Sequence, residues 1–256
     1  MKTSVGILFP IYKQEPSDIE IRRLTITLAK NKDVPAVAIH PRGLNPKNYS
    51  FMGKNTQFLA IDDVNFRSRD HYNRMMITLE IYDLLGALFE SIVVCQTDAF
   101  LIKNVMELQE LDYDYIGATW NPPYEISKVF GKLLINRPGF SHIFPSRKIH
   151  VGNGGLSFRR IEVIKKIIND LAKTKHWSSM TSITNRKMNE DLALSFFALE
   201  YGARIPSPEV ANSIFIETKE IEWSKVSSIF GFHALQRCNP ALEIRILDSF
   251  SSEIID

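Results

Sequence analysis

A chain of 256 residues, 45% of them hydrophobic, is long enough to bury one large core, and a single α/β domain is the economical expectation. Its 31 basic and 29 acidic residues leave a formal charge of +2, too balanced for a surface that tracks nucleic acid, so any electrostatic attraction must be local. Cys95 and Cys238 are far apart and form no C-x-x-C pair, which excludes a disulfide framework and a cysteine zinc site.

The stretch MKTSVGILFPIY is apolar only briefly, is interrupted by Pro10 and has no small-residue cleavage site, so it predicts a first strand over 4–12 rather than a signal peptide. No segment approaches the roughly 18 apolar residues of a membrane span. A cytoplasmic protein is therefore expected, with peripheral contact at the inner face of a membrane left open. Further strands are predicted over 34–40 and 57–63, and residues 18–31 carry helical spacing between the first two strands. Residues 72–90 place Met75, Met76, Leu79, Leu85, Leu88 and Phe89 on one stripe, which predicts one helix running into a strand over 92–95. This βαβ order predicts a mostly parallel central sheet with helices on both faces.

After a short strand within 113–120 the pattern dissolves. Residues 121–150 hold Pro122, Pro123, Pro138 and Pro145 besides Gly131 and Gly139, and predict an insertion with at most one or two helical turns in ISKVFGKLLI. There follow VGNGGLSFRR (151–160), an amphipathic helix to about Lys175, a helix over about 190–201 with Leu192, Phe196 and Leu199 as its buried stripe, and FGFHAL (230–235).

Several short groups carry chemistry. Asp98 closes the buried run SIVVCQTD. An isolated Asp there is ordinarily a cap or turn former. Here more apolar residues follow at once, so its charge would lie unpaired between buried elements, and a divalent cation is one partner that offsets the cost. In open α/β sheets the carboxyl ends of strands line the ligand crevice, which is where Asp98 falls. GNGGLS (152–157) is either a tight turn or a place where backbone N–H groups approach a ligand, aided by the positive end of a following helix. Asn189 caps a helix, and of the two acids after it one can act as a general base toward a sugar hydroxyl. Asp191 is preferred over Glu190 because its shorter side chain is more easily held rigid. His233, in an apolar run, is a core histidine or a ligand to Mn²⁺.

Taken in order, QTD, YIGATW, GNGGLS, NED and FGFH resemble a glycosyltransferase-like family of bacterial surface-polysaccharide loci built on the GT-A fold, over about Tyr72 to Leu235. The resemblance implies one GT-A-type domain that moves a hexose, with inversion, from a nucleotide sugar such as a UDP-sugar to a glycan or lipid-linked glycan. It places donor contacts at Gln96, Thr97, Asp98, Asn153, Gly154 and Gly155, and implies Mn²⁺ or Mg²⁺ on Asp98 and His233. The NED acids Glu190 and Asp191 correspond to the acceptor-activating position. Gln96 departs from the pattern, standing where the family's first metal-binding acid would be, and contributes no charge.

Two rival functions are a sugar-nucleotide nucleotidyltransferase and a noncatalytic glycan- or nucleotide-binding module. The first expects a glycine-rich, Arg-containing loop where this chain has FPIYKQEP. The second is favoured if neither NED acid faces the crevice. The insertion at 121–150 is a surface loop or the acceptor platform, the latter using Trp120, Lys128, Lys132 and Arg137 to meet sugar rings and anionic groups.

Overall fold

The computed structural model of the chain describes residues 3–129, 132–135, 145–173, 189–217 and 220–255. In its first strand, β1 (Thr3–Pro10), Val5, Ile7 and Phe9 pack on one side of the sheet and Leu8 on the other. β4 (Phe89–Cys95) divides in the same way, with Ile92 and Val94 on one face and Val93 and Cys95 on the other. Strands apolar on both faces belong in the middle of a covered sheet. These two pair in parallel, Leu8 opposite Val94.

With β2 (Ala36–Pro41), β3 (Thr56–Ile61), β6 (Tyr115–Gly117) and β10 (Leu156–Arg160), they form a six-stranded sheet of order β3-β2-β1-β4-β10-β6. The first four strands are parallel, but β10 runs antiparallel to both its neighbours. The sheet is thus mixed rather than mostly parallel, because the chain enters β10 from the end at which β4 stops. Helices cover both faces: α1 (Asp18–Lys30) lies on one, while α3 (Leu79–Gly86), α4 (Ile161–Ala172) and α5 (Glu190–Glu200) lie on the other. Strand order moves outward from β1 to β3 and resumes across β1 at β4, so a crevice opens at the carboxyl ends of β1 and β4.

Two predicted segments fold differently. The single helix over 72–90 is two, α2 (Arg69–Met75) and α3, with Phe89 already in β4. β-Branched Ile77 and Thr78 stand at the break. The Thr78 hydroxyl donates to the Met75 carbonyl at 2.9 Å, and its backbone is extended (φ −101°, ψ 153°). Within 121–150, the expected irregular insertion is an antiparallel sheet of β8 (Lys132–Ile135), β7 (Thr119–Val129) and β9 (Ser146–Val151). ISKVFGKLLI therefore supplies paired strand residues, Ile126 opposite Ile135, rather than helical turns. Pro122 and Pro123 fall where the β7–β9 register shifts between Thr119 and Tyr124, a bulge of the kind that tolerates proline.

A third sheet, of order β11-β12-β5, joins β5 (Ala99–Leu101), β11 (Phe215–Glu217) and β12 (Gly231–His233) beside the crevice. The helix α6 (Pro240–Ile255) packs on α1. Among the described residues no helix is long and apolar enough to cross a membrane.

Candidate active site

Strand register brings the distant motifs together. Leu156 lies opposite Cys95, so the residues that precede β10 meet those that follow β4, and the Gln96 N–H donates to the Gly155 carbonyl at 2.9 Å. His233 pairs with Ala99 on one side and with Glu217 on the other, which sets its ring between Asp98 and Glu217. His233 Nε2 is 3.1 Å from Asp98 Oδ1, and Nδ1 is 3.3 Å from Glu217 Oε1. Arg237 reaches the other Asp98 oxygen at 2.9 Å.

The Asp98 charge is therefore paired within the protein, contrary to the expectation that it lacked a partner. Burial alone would raise its pKa, but His233 and Arg237 outweigh burial and hold it below the ordinary carboxylate value. For His233 burial would lower the pKa, and the two carboxylates instead lift it to about 9. The site also fits a divalent cation. His233 Nε2 and Asp98 Oδ1, 3.1 Å apart, suit adjacent positions on an octahedral ion with bonds of about 2.1 Å. Glu217 behind the ring would fix its orientation, as second ligand shells do. Only two protein ligands are offered: among the described residues no three His, Cys, Asp or Glu side chains cluster to hold a metal ion.

The glycine turn is shaped by close approach. Asn153 Oδ1 accepts the Gly155 N–H at 2.9 Å and folds the turn on itself. A Cβ on Gly154 would lie 2.3 Å from Glu190 Oε1, and one on Gly155 would lie 2.2 Å from His233 Nε2, so only glycine lets the NED and histidine motifs close on this turn. The turn leads into β10, so the expected helix dipole behind it is absent.

The two acids of NED part company. Glu190 is buried against Arg159, whose guanidinium lies 3.5 Å away, is itself fully buried, and donates to Tyr82 Oη at 2.8 Å and Ser157 Oγ at 3.0 Å. Both acids border the crevice, but Asp191 is held by backbone groups, accepting the Gly154 N–H at 3.1 Å and the Leu192 N–H at 2.7 Å. Burial, reinforced by the Glu190 charge, pushes Asp191 up to about 7 despite those hydrogen bonds. A carboxyl with that affinity for a proton is suited to general-base work near neutrality. Asn189 makes no side-chain cap bond, and Leu199, expected in the buried stripe, is 42% exposed.

These groups line a cavity of about 1020 Å³ that also holds Gln96, Asn153, Trp120 and Tyr124. The last two rings meet edge to face at 5.1 Å, presenting an aromatic corner. A second cavity of about 670 Å³ opens at the ends of β1 and β4 and is lined by Tyr12, Glu20, Thr97 and Asp98. The side chains of Lys128 and Lys132, and all of Arg137, lie outside the described residues.

Sequence reasoning missed several contributors. Tyr72 and Asn73, at the start of the helix predicted over 72–90, line the first cavity, as does Glu217. Arg23, within the helical spacing over 18–31, is buried, holds Glu243 of α6 through bonds of 2.9 and 3.0 Å, and donates to the Thr97 carbonyl at 3.1 Å. That pair braces the QTD loop from behind. A family model described as "Protein of unknown function (DUF5672)" matches residues 55–233, from β3 to the histidine itself. No curated protein matches the chain.

Proposed function

For this chain, which belongs to the DUF5672 family of proteins of unknown function, we propose the activity of an inverting glycosyltransferase on the GT-A plan, transferring a hexose from a nucleotide sugar to a glycan or lipid-linked glycan. One observation carries the reading. A carboxyl with a pKa of about 7, Asp191, shares a cavity with His233 of the Asp98–His233 pair and with the aromatic corner of Trp120 and Tyr124. A base, an anion-stabilising group and a sugar platform are the parts that displacement of a nucleoside diphosphate by a hydroxyl requires. A noncatalytic binding module would use Asp191 only as a hydrogen-bond acceptor for a hydroxyl, for which a raised proton affinity is no advantage.

Asp98 and His233 would hold Mn²⁺ or Mg²⁺ when it is bound, and the ion would offset charge developing on the departing diphosphate. Asp191 takes the proton from the acceptor hydroxyl. Its two backbone hydrogen bonds fix its direction while leaving lone pairs free. The Trp120 face orients the acceptor ring.

The test is release of nucleoside diphosphate from a panel of labelled nucleotide sugars. Asp98→Ala and His233→Ala are expected to weaken UDP binding by about tenfold in Mn²⁺, and far less in EDTA. Unchanged affinity in both variants, with and without EDTA, would remove the metal from the proposal. Trp120→Ala is expected to raise acceptor KM by about tenfold and leave donor affinity within about twofold, as loss of one stacking face predicts. Equal acceptor KM would assign the corner to structure alone.

A further inference from the structure

The two cavities meet at four side chains that line both: Arg69, Tyr72, Gln96 and Arg237. A ligand reaching from one cavity into the other must cross this seam. We infer that the seam is a diphosphate site built from side-chain donors, in which Arg69, Arg237, the Tyr72 hydroxyl and the Gln96 amide hold the phosphate oxygens directly. The inference rests on the nucleotide-sugar reading, since the diphosphate is the part of such a donor that lies between its nucleoside and its sugar.

The strongest observation is Tyr72. Its hydroxyl is buried beside Gln96 but, among the described residues, meets no partner at full hydrogen-bond geometry, although the residue borders both cavities. A buried hydroxyl left unpaired is costly, and a phosphate oxygen entering the seam would satisfy it. Arg69 is exposed and no carboxylate pairs with it among the described residues, so its guanidinium is available to an anion. Arg237 spends one nitrogen on Asp98 and keeps its other donors. Gln96 is neutral, so it can donate to phosphate without repelling it. Together these groups supply cationic and neutral donors across the path a diphosphate must take, independently of any ion on Asp98 and His233.

The test uses the full chain in EDTA, with inorganic pyrophosphate and UDP as probes, read by thermal shift and calorimetry. Both probes are expected to bind. Tyr72→Phe should leave the ligand-free melting temperature close to or above that of the parent, because the buried hydroxyl has no hydrogen bond of full geometry to lose, yet weaken both probes by about tenfold. Arg69→Gln should weaken them by a similar factor, and Gln96→Glu by more, since it puts a negative charge at the seam. UDP binding unchanged in all three variants would overturn the seam and leave the nucleotide-sugar reading standing. Pyrophosphate binding that is lost in the variants, with no binding of UDP or any other nucleoside diphosphate, would keep the seam and overturn that reading. Binding of neither probe to the parent chain in EDTA would overturn the seam; UDP binding restored by Mn²⁺ would then leave the nucleotide-sugar reading standing, and its absence in Mn²⁺ as well would overturn both.

Discussion

Asp191→Asn is expected to lower kcat by a factor on the order of 10² to 10⁴ while donor affinity changes by less than about twofold, the pattern of a lost general base. The pH dependence sharpens the test. Because Asp191 is pushed up to about 7 by burial and by Glu190, the active carboxylate forms as pH rises through that value. The parent's rate should therefore climb between about pH 6 and 8, and the Asn variant's residual rate should lack that limb. Stability should move the opposite way. A carboxyl whose folded pKa is raised costs stability as pH rises from its unfolded value toward its folded value, and the cost is complete above about 7. Asp191→Asn should then melt higher than the parent at pH 8, by a margin that shrinks toward pH 5. A variant that keeps the parent's rising limb would exclude Asp191 as the base. A variant that loses activity only by unfolding would show a lowered melting temperature instead.

Arg159→Met is expected to destabilise the fold by about 3 to 5 kcal/mol, the usual cost of leaving a buried charge without its partner. Arg159 and Glu190 are 0% and 4% exposed at their side chains, so no solvent can replace the guanidinium. Tyr82 Oη and Ser157 Oγ would lose their donor as well. Glu190 is already raised by burial, and removing Arg159 raises it further, so the variant should lose more stability as pH rises from about 5 to 8. Pairing the change with Glu190→Gln should recover much of the loss, because the double variant buries no charge; the recovered amount is the coupling between the two residues. Urea unfolding at two pH values measures all of this. Additive single losses in the double variant would show that the guanidinium acts through Tyr82 and Ser157 rather than through Glu190.

Local pattern was enough to place β1, α1, β2 and β3, because apolar period and helical spacing report directly on burial. It also picked out Asp98, the glycine turn, Asp191 and His233, since each is a polar or flexible residue in a place where burial makes it expensive. It failed at 72–90, where hydrophobic spacing could not register that Ile77 and Thr78 break the helix, and at 121–150, where prolines disguised a bulged strand. What only the tertiary structure decided is which groups touch. That Glu190 is held in a buried ion pair while Asp191 is held by backbone N–H groups follows from Arg159 on β10, thirty-one residues before Glu190 in the chain. The pairing of Asp98 follows from β12 lying beside β5, which carries His233 and Arg237 to it. Charge pairing acts over a few ångströms in space and leaves no periodic trace along the chain, so adjacent acids look alike in sequence until the fold supplies a cation to one of them.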